Sequence, residues 1–312
     1  MAPQSSTTMH PCDYPPLRRQ IYSDIRRLCG TLENVNIGRV SFERLSEWGI
    51  QARPVQFKTG SDKLDFSPCF FKPLPSSYLT DYPIREDEEL IPYSDTNIPE
   101  SELDDILESE LDESDYCDPS EVTRSLLEYV DSRTGAVREA EGFEDGMFLR
   151  SISPMTRVNI DQSEQSRDFS LYEWGQSGSW HSMYGIYSIN GSHPHLVLSV
   201  MHRVDANSHS LAKGEVQACV QAMRKRYRDK TLVKFDILPI LITSFVGPKH
   251  GRILQAHHTG QELVLQYSPL MSFEVEETAP TDLFTRYQVG IPVGLAEAAA
   301  PGVVVDERVS AL

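Results

Sequence analysis

Apolar positions recur at helical spacing in several parts of the chain. The clearest helix is predicted over residues 212–227, with one apolar face made of Ala212, Val216, Cys219, Val220, Met223 and Tyr227. Asn207 or Ser208 is expected to cap its start. Further helices are predicted over residues 15–30, 41–48, 120–130 and 280–287.

The other apolar stretches alternate with polar residues or run continuously, as strands do. Strands are predicted over residues 169–174, 184–189, 196–201, 237–245, 252–257 and 262–267. Residues 196–201 are almost continuously apolar, which is typical of a strand buried on both faces. Thr259-Gly260 separates the last two strands and predicts a hairpin.

The order of these elements predicts an α/β (α+β) fold with a mixed sheet. A helix precedes an antiparallel three-strand unit, and a crossover helix then leads to further strands. Four regions are expected along the chain: a helical and extended wrapping region at 1–80, an acidic linker at 81–118, the core domain at 119–295, and a flexible tail at 296–312.

Charge changes this picture, because most of the net charge lies in one segment. The 312 residues include 46 acidic and 29 basic side chains, for a net charge of −17. Residues 81–118 hold 16 of the acids and a single base, Arg85. One interpretation is a solvated linker kept open by self-repulsion. The other is an acidic amphipathic helix that docks on a basic protein partner or on this protein's own basic face.

That basic face is predicted between residues 181 and 260, which contain ten Lys or Arg residues and only four Asp or Glu residues. The candidates for binding an anion lie in the last turns of the long helix or after a Gly-Pro turn: Arg224, Lys225, Arg226, Lys249, His250 and Arg252. Nucleic-acid binding requires both groups on one surface. Stabilisation of the helix end by cations, and simple exposure of the turn, explain the same residues without a ligand.

Several classes of protein are disfavoured by composition. No run approaches the ~20 apolar residues of a membrane span, and the first ten residues lack the features of a secretory signal. Five cysteines without a CxxC pair indicate free thiols in a reducing compartment, cytoplasmic or nuclear.

Histidines offer a further candidate site. His193 and His195 are two residues apart and would share one face of a strand, so that with His202 or His257 they would hold zinc if the three ligands converge. A deep pocket enclosing His193, His195 and His202 would instead indicate a small-molecule enzyme. Surface and hairpin-loop histidines are the simpler interpretation.

The order of elements over residues 120–267 resembles the core of the PD-(D/E)XK nuclease-like superfamily. The block from Leu238 to Ala256 also resembles a stretch of uncharacterised intracellular proteins of filamentous fungi. The nuclease resemblance implies an Asp near one strand and a Glu-x-Lys on the next, with Mg²⁺ held by the two carboxylates and the attacking water supported by the lysine. The fungal resemblance suggests service in a specialised-metabolite pathway.

The residues depart from the nuclease pattern at its most important strand. Residues 196–203 read Leu-Val-Leu-Ser-Val-Met-His-Arg, and no carboxylate follows until Asp205. The acids left as catalytic candidates are Asp168, Glu173, Asp205 and Glu215. We therefore predict a non-catalytic accessory or interaction protein without a cofactor. The alternative is a divergent Mg²⁺-dependent nuclease or a nucleic-acid-binding module.

Overall fold

The computed structural model describes residues 14–93, 119–141, 146–153, 155–159, 172–173, 180–187 and 191–294. The helices are α1 (Pro16–Glu33), α2 (Phe42–Glu47), α3 (Ser77–Asp81), α4 (Pro119–Gly135), α5 (Lys213–Arg228) and α6 (Thr281–Gln288). The strands are β1 (Arg39–Ser41), β2 (Ile50–Pro54), β3 (Phe71–Lys72), β4 (Val137–Arg138), β5 (Met147–Phe148), β6 (Thr156–Asn159), β7 (Tyr172–Glu173), β8 (Trp180–Tyr187), β9 (Leu196–Asp205), β10 (Ser210–Ala212), β11 (Ile240–Gly247), β12 (His250–His258), β13 (Leu263–Tyr267), β14 (Met271–Ser272) and β15 (Ile291–Pro292).

A mixed sheet forms the centre of the fold. Its strand order is β2-β13-β12-β11-β9-β8-β6, while β7 also pairs with β8 and β14 with β12. The pairs β9–β11 and β2–β13 are parallel, and the other pairs are antiparallel. Helix α5 connects β9 to its parallel neighbour β11, as a crossover between parallel strands requires.

The mixed sheet predicted from the sequence is confirmed. Helix α4 is followed by the antiparallel strands β6, β8 and β9, then by the crossover helix α5 and the parallel strand β11. The predicted hairpin joins β12 to β13, and Gly260 in its turn has a φ of 95°, which glycine adopts without strain.

Apolar side chains bury both faces of the sheet. On β9, Leu196, Leu198 and Val200 join the core under α1 and α5, whereas Val197 and Met201 join the core under α4 and α6. Successive side chains of a strand point to opposite faces, so helices on both sides require apolar residues at nearly every position. This explains the continuous apolar run of β9.

The N-terminal segment is built into the same sheet. Strand β2 pairs with β13 at one edge, while β1 forms a separate two-stranded sheet with β10, the short strand that precedes α5. Helix α1 contributes Ile21, Ile25 and Leu28 to the core that it shares with α5. The chain before residue 80 therefore supplies a strand and a helix to the sheet and core.

Arg18 of α1 holds the end of α5 in place. Its side chain is fully buried, and its guanidinium donates to five backbone carbonyls at 3.0–3.3 Å: those of Arg226, Tyr227, Asp229, Leu232 and Phe235. A helix leaves its last carbonyls without intrahelical partners, and a cation at that end also complements the helix dipole.

Three details differ from the sequence predictions. The expected cap at Asn207 or Ser208 is wrong, because residues 210–212 form β10 and α5 begins only at Lys213. Strand β8 begins at Trp180, earlier than predicted, since Trp180 pairs with His202. Only residues 172 and 173 of the predicted strand 169–174 are described, and they form the short strand β7. Both β7 and β6 pair with β8.

None of the helices in the described part of the chain combines the length and the apolar character needed to cross a bilayer. Of the acidic segment, residues 81–93 are described, with Arg85 paired to Asp87 and Tyr93 buried against Tyr129. Its most acidic part, residues 100–115, lies outside the described residues. The predicted docking of that part therefore stays a prediction.

Replacing Arg18 by Met should reduce the free energy of unfolding by about 3 kcal/mol or more, because five carbonyls lose a charged donor. Arg18→Lys should fall between this variant and wild type, since an ammonium cannot span the same fork of acceptors. Urea titration followed by circular dichroism measures the loss. Arg19→Met, at an exposed neighbour on the same helix, should change stability by less than about 0.5 kcal/mol, and equal losses in both variants would refute this role of Arg18.

Candidate functional site

Buried polar side chains cluster where the crossover helix begins, against β9, β11 and β12. We call the following six residues, none more than 2 % exposed, the β9–α5 cluster: Trp180, His202, Glu215, Gln217, Ser244 and Arg252. The carboxyl ends of parallel strands beside a helix start are where ligands commonly bind in α/β sheets. The cluster is therefore the first place to look for chemistry.

The Glu215 carboxylate is engaged by protein donors on both oxygens. Oε2 accepts the backbone N–H of Ala212, the residue before α5, at 2.8 Å. Oε1 accepts the hydroxyl of Ser244 at 2.7 Å and lies 3.4 Å from Nε of Arg252. Glu215 thus caps the helix and balances a buried cation.

Arg252 completes this ion pair and fastens the loop that leads into α5. Its Nη1 donates to the carbonyl of Ser210 at 3.2 Å, and its Nη2 donates to the carbonyl of Asn207 at 2.7 Å. Both charged side chains of the pair are at most 3 % exposed. Removing one partner would leave an unpaired charge in a region that water does not reach.

His202 is a neutral imidazole within the cluster. Burial, aided by Arg252 and opposed by Glu215, lowers its pKa to about 4. Neither ring nitrogen has a hydrogen-bond partner. Gly214 allows the ring to sit so close to the helix, because a Cβ at that position would lie 2.6 Å from Nδ1 of His202 and from Cγ of Trp180.

The remaining members of the cluster form a neutral pair. The indole Nε1–H of Trp180 donates to Oε1 of Gln217 at 2.9 Å, and the amide nitrogen of Gln217 is buried without a partner. Apart from Nε of Arg252, which lies 3.4 Å from Oε1 of Glu215, the atoms of the cluster without a hydrogen-bond partner are neutral nitrogens of His202 and Gln217. They supply fewer ligands than the three or four that a zinc site requires.

The structure separates the three histidines proposed as zinc ligands. The rings of His193 and His195 lie 6.5 Å apart, and His195 contacts the carbonyl of Val293 at 3.2 Å. His202 lies on β9, seven residues beyond His195, which is about 23 Å at ~3.3 Å per residue. Among the described residues, no three His, Cys, Asp or Glu side chains are placed to hold one metal ion.

The four candidate acids are also dispersed. Asp168 lies outside the described residues, and Glu173 belongs to β7, which pairs with β8. Asp205 is 79 % exposed and pairs with Arg39 at 3.6 Å, whereas Glu215 is fully buried. A Mg²⁺ ion at Glu215 would have to compete with the guanidinium of Arg252, so these residues do not fit that ion.

The anion-binding candidates occupy different environments. Arg224 forms a partly exposed pair with Glu33 at 3.6 Å, and Lys225 is half-buried. Arg226 is buried and donates to the carbonyl of His195 at 3.2 Å.

The second group of candidates begins at the turn between β11 and β12. Lys249 lies 5.1 Å from the centre of the Tyr93 ring, and His250 is half-buried. Arg252 contacts Glu215 at the start of α5, about 16 Å along the helix from Arg226 at ~1.5 Å per residue. The buried arginines of the two groups therefore lie near opposite ends of α5.

Sequence reasoning singled out Glu215 and Arg252 but missed their contact. A Glu at the third position of a helix often accepts the backbone N–H of the N-cap residue and is a known signal of a helix start. Glu215 is at that position, and Ala212 is the N-cap residue. The Trp180–Gln217 pair has no such signal, because the residues are far apart in sequence and belong to different elements.

No family model matches this chain, and neither a curated protein nor a solved structure matches it. The nuclease-like and fungal resemblances therefore stay predictions.

The Glu215–Arg252 pair predicts a non-additive double-mutant cycle. Glu215→Gln and Arg252→Met should each cost about 3–5 kcal/mol of unfolding free energy, because each leaves a buried partner unbalanced. The double variant should lose clearly less than the sum of the two, which denaturant titration of all four proteins measures. Additive losses would show that the two charges do not stabilise each other.

Buried histidines predict acid destabilisation. Burial lowers the pKa values of His195, His202 and His257 to about 4, from a usual value of 6.5. Between these two values the unfolded chain binds protons that the folded chain does not, so stability is highest above pH 6.5 and falls towards pH 4. Each histidine contributes a slope of about 1.4 kcal/mol per pH unit.

The variant His202→Gln should therefore show a flatter loss of unfolding free energy between pH 6.5 and pH 4 than wild type. Urea titrations at half-unit pH steps measure the slope. His209→Gln, at an exposed position, should keep the wild-type slope, and an unchanged slope in His202→Gln would contradict the assignment.

Proposed function

We propose that this protein is a non-catalytic accessory or interaction protein. The observation that carries the proposal is the state of Glu215, the one buried carboxylate among the described residues. Both of its oxygens accept protein hydrogen bonds, and Arg252 already supplies its counter-charge. A divalent ion needs carboxylate oxygens that are free to bind it.

The side chains of β9 support the same proposal. The nuclease-like resemblance would place a carboxylate and a lysine on this strand. Ser199 and Met201 instead face the core under α4 and α6, and Val200 faces the opposite core. Ser199 is hydrogen-bonded to Thr243 at 2.9 Å and accepts from the amide of Gln288 at 3.1 Å, so it belongs to a buried structural network.

The proposed partner is a basic protein surface that recognises the acidic segment. Residues 94–118 carry eleven acids and no Lys or Arg. Such a charge density favours fast association with a basic surface and gives binding that weakens with added salt. An intracellular role in a fungal specialised-metabolite pathway is the part of the proposal that depends on the fungal resemblance alone.

The test is an assay for nuclease activity. Wild-type protein incubated with Mg²⁺ or Mn²⁺ and single- or double-stranded DNA or RNA should give no cleavage above background, measured by gel electrophoresis of labelled substrate. Cleavage that disappears in Asp168→Asn, Glu173→Gln or Asp205→Ala would overturn the proposal and establish a divergent nuclease. Asp205→Ala is the most informative of the three, because its side chain is exposed and its loss should leave the fold intact.

A further inference from the structure

A cavity of about 630 Å³ opens beside the first turn of α6. Three chain segments line it, within residues 57–76, 129–133 and 276–286. We call it the α6 pocket. None of the β9–α5 cluster lines it, so it is separate from the site described above, and its size is that of a small-molecule site.

A buried guanidinium with an unused donor lines this pocket. Arg286 is 3 % exposed; its Nε donates to the carbonyl of Leu74 at 2.5 Å, and its Nη1 pairs with Asp62. Its Nη2 is buried and has no hydrogen-bond partner. A charged donor left unsatisfied in this way is costly, and a carboxylate is the group whose geometry matches it best.

A second arginine in the wall has the same property. Arg133 donates through Nη2 to the hydroxyl of Tyr129 at 2.8 Å, and its guanidinium lies 4.5 Å from the centre of the Tyr129 ring. Its Nε is buried without a partner. Two guanidinium groups with unused donors therefore line one cavity.

The start of α6 adds further donors. Pro280, the residue before the helix, provides no side-chain cap, and the N–H of Phe284 makes the first intrahelical bond, to the carbonyl of Pro280. The backbone N–H groups of residues 281–283 precede that bond, and these residues line the pocket. The helix dipole at this end also favours a negative group.

Carboxylates at the opening limit what can enter. Glu276, Glu277 and Asp282 line the pocket from exposed positions, and Asp62 is already paired with Arg286. Four acids and two arginines give the lining a formal charge of −2. A free dianion would be repelled, whereas a ligand with one negative and one positive end would match both the arginines and the acids.

We propose that the α6 pocket binds a small zwitterion, an amino acid or a short peptide. Its carboxylate pairs with Arg286 and Arg133 beside the start of α6, and its ammonium faces Glu276 and Glu277. Phe57, which is 42 % exposed, and Leu283 offer apolar contacts to its side chain. This binding site is independent of whether the protein is catalytic.

Isothermal titration of the full chain with the dipeptide Ala-Phe tests the proposal. Ala-Phe should bind with a Kd of about 1 mM or lower. Its N-acetylated form and its C-terminal amide, which each lack one charge, should bind at least about tenfold more weakly, and inorganic phosphate should bind more weakly than Ala-Phe. No heat of binding up to about 10 mM Ala-Phe, or equal affinity for the blocked forms or for phosphate, would overturn it.

Variants at exposed or partly exposed positions assign the site without endangering the fold. Arg133→Gln and the pair Glu276→Gln/Glu277→Gln should each weaken Ala-Phe binding at least about fivefold. Matched controls are Arg124→Gln on the same helix as Arg133 and Glu274→Gln in the same loop as the acids; neither residue lines the pocket, and both variants should bind as wild type does. Unchanged affinity in the pocket variants would show that the dipeptide binds elsewhere and would refute the proposal.

Discussion

The ion pair between Glu215 and Arg252 lies where the crossover helix, the two central strands and the loop before the helix meet. Its carboxylate caps α5 and binds Ser244 of β11, while its guanidinium reaches from β12 to the carbonyls of Asn207 and Ser210. Two buried charges are tolerated here because the two groups form an ion pair and each also hydrogen-bonds to nearby backbone groups. This contact therefore joins the start of α5 to β11, to β12 and to the loop before the helix.

The other end of α5 is also stabilised by a buried charged side chain. Arg18 brings a buried cation to the carbonyls that α5 and the following turn leave unpaired. An acid at the start and a base at the end both complement the helix dipole. Because Arg18 comes from α1, the N-terminal helix completes a core that residues 119–294 would otherwise leave open.

Charge is thus used in two ways in this protein. Inside the fold, Arg18, Glu215 and Arg252 are committed to structure, so their burial says little about a ligand. In the α6 pocket, Arg286 and Arg133 keep donors without a hydrogen-bond partner among the described residues, beside a cavity. The comparable atom of Arg252, Nε, lies instead 3.4 Å from Oε1 of Glu215. A buried donor without a partner indicates a candidate binding site where its side chain also lines a cavity.

The larger helices and strands, and their order, can be predicted from the amino-acid sequence alone. Helix α5, the doubly buried strand β9 and the β12–β13 hairpin follow from periodicity and turn residues, because these signals act over a few neighbouring positions.

Contacts between residues that are distant in the sequence become visible only in the folded chain. Arg18 and the end of α5 are more than 200 residues apart, and the α6 pocket draws on three separate segments. Partners of this kind carry no local pattern, since the contact is set by how helices and strands pack and not by spacing along the chain. For the same reason, Glu215 looked like a free acid in the sequence and proved to be a paired one.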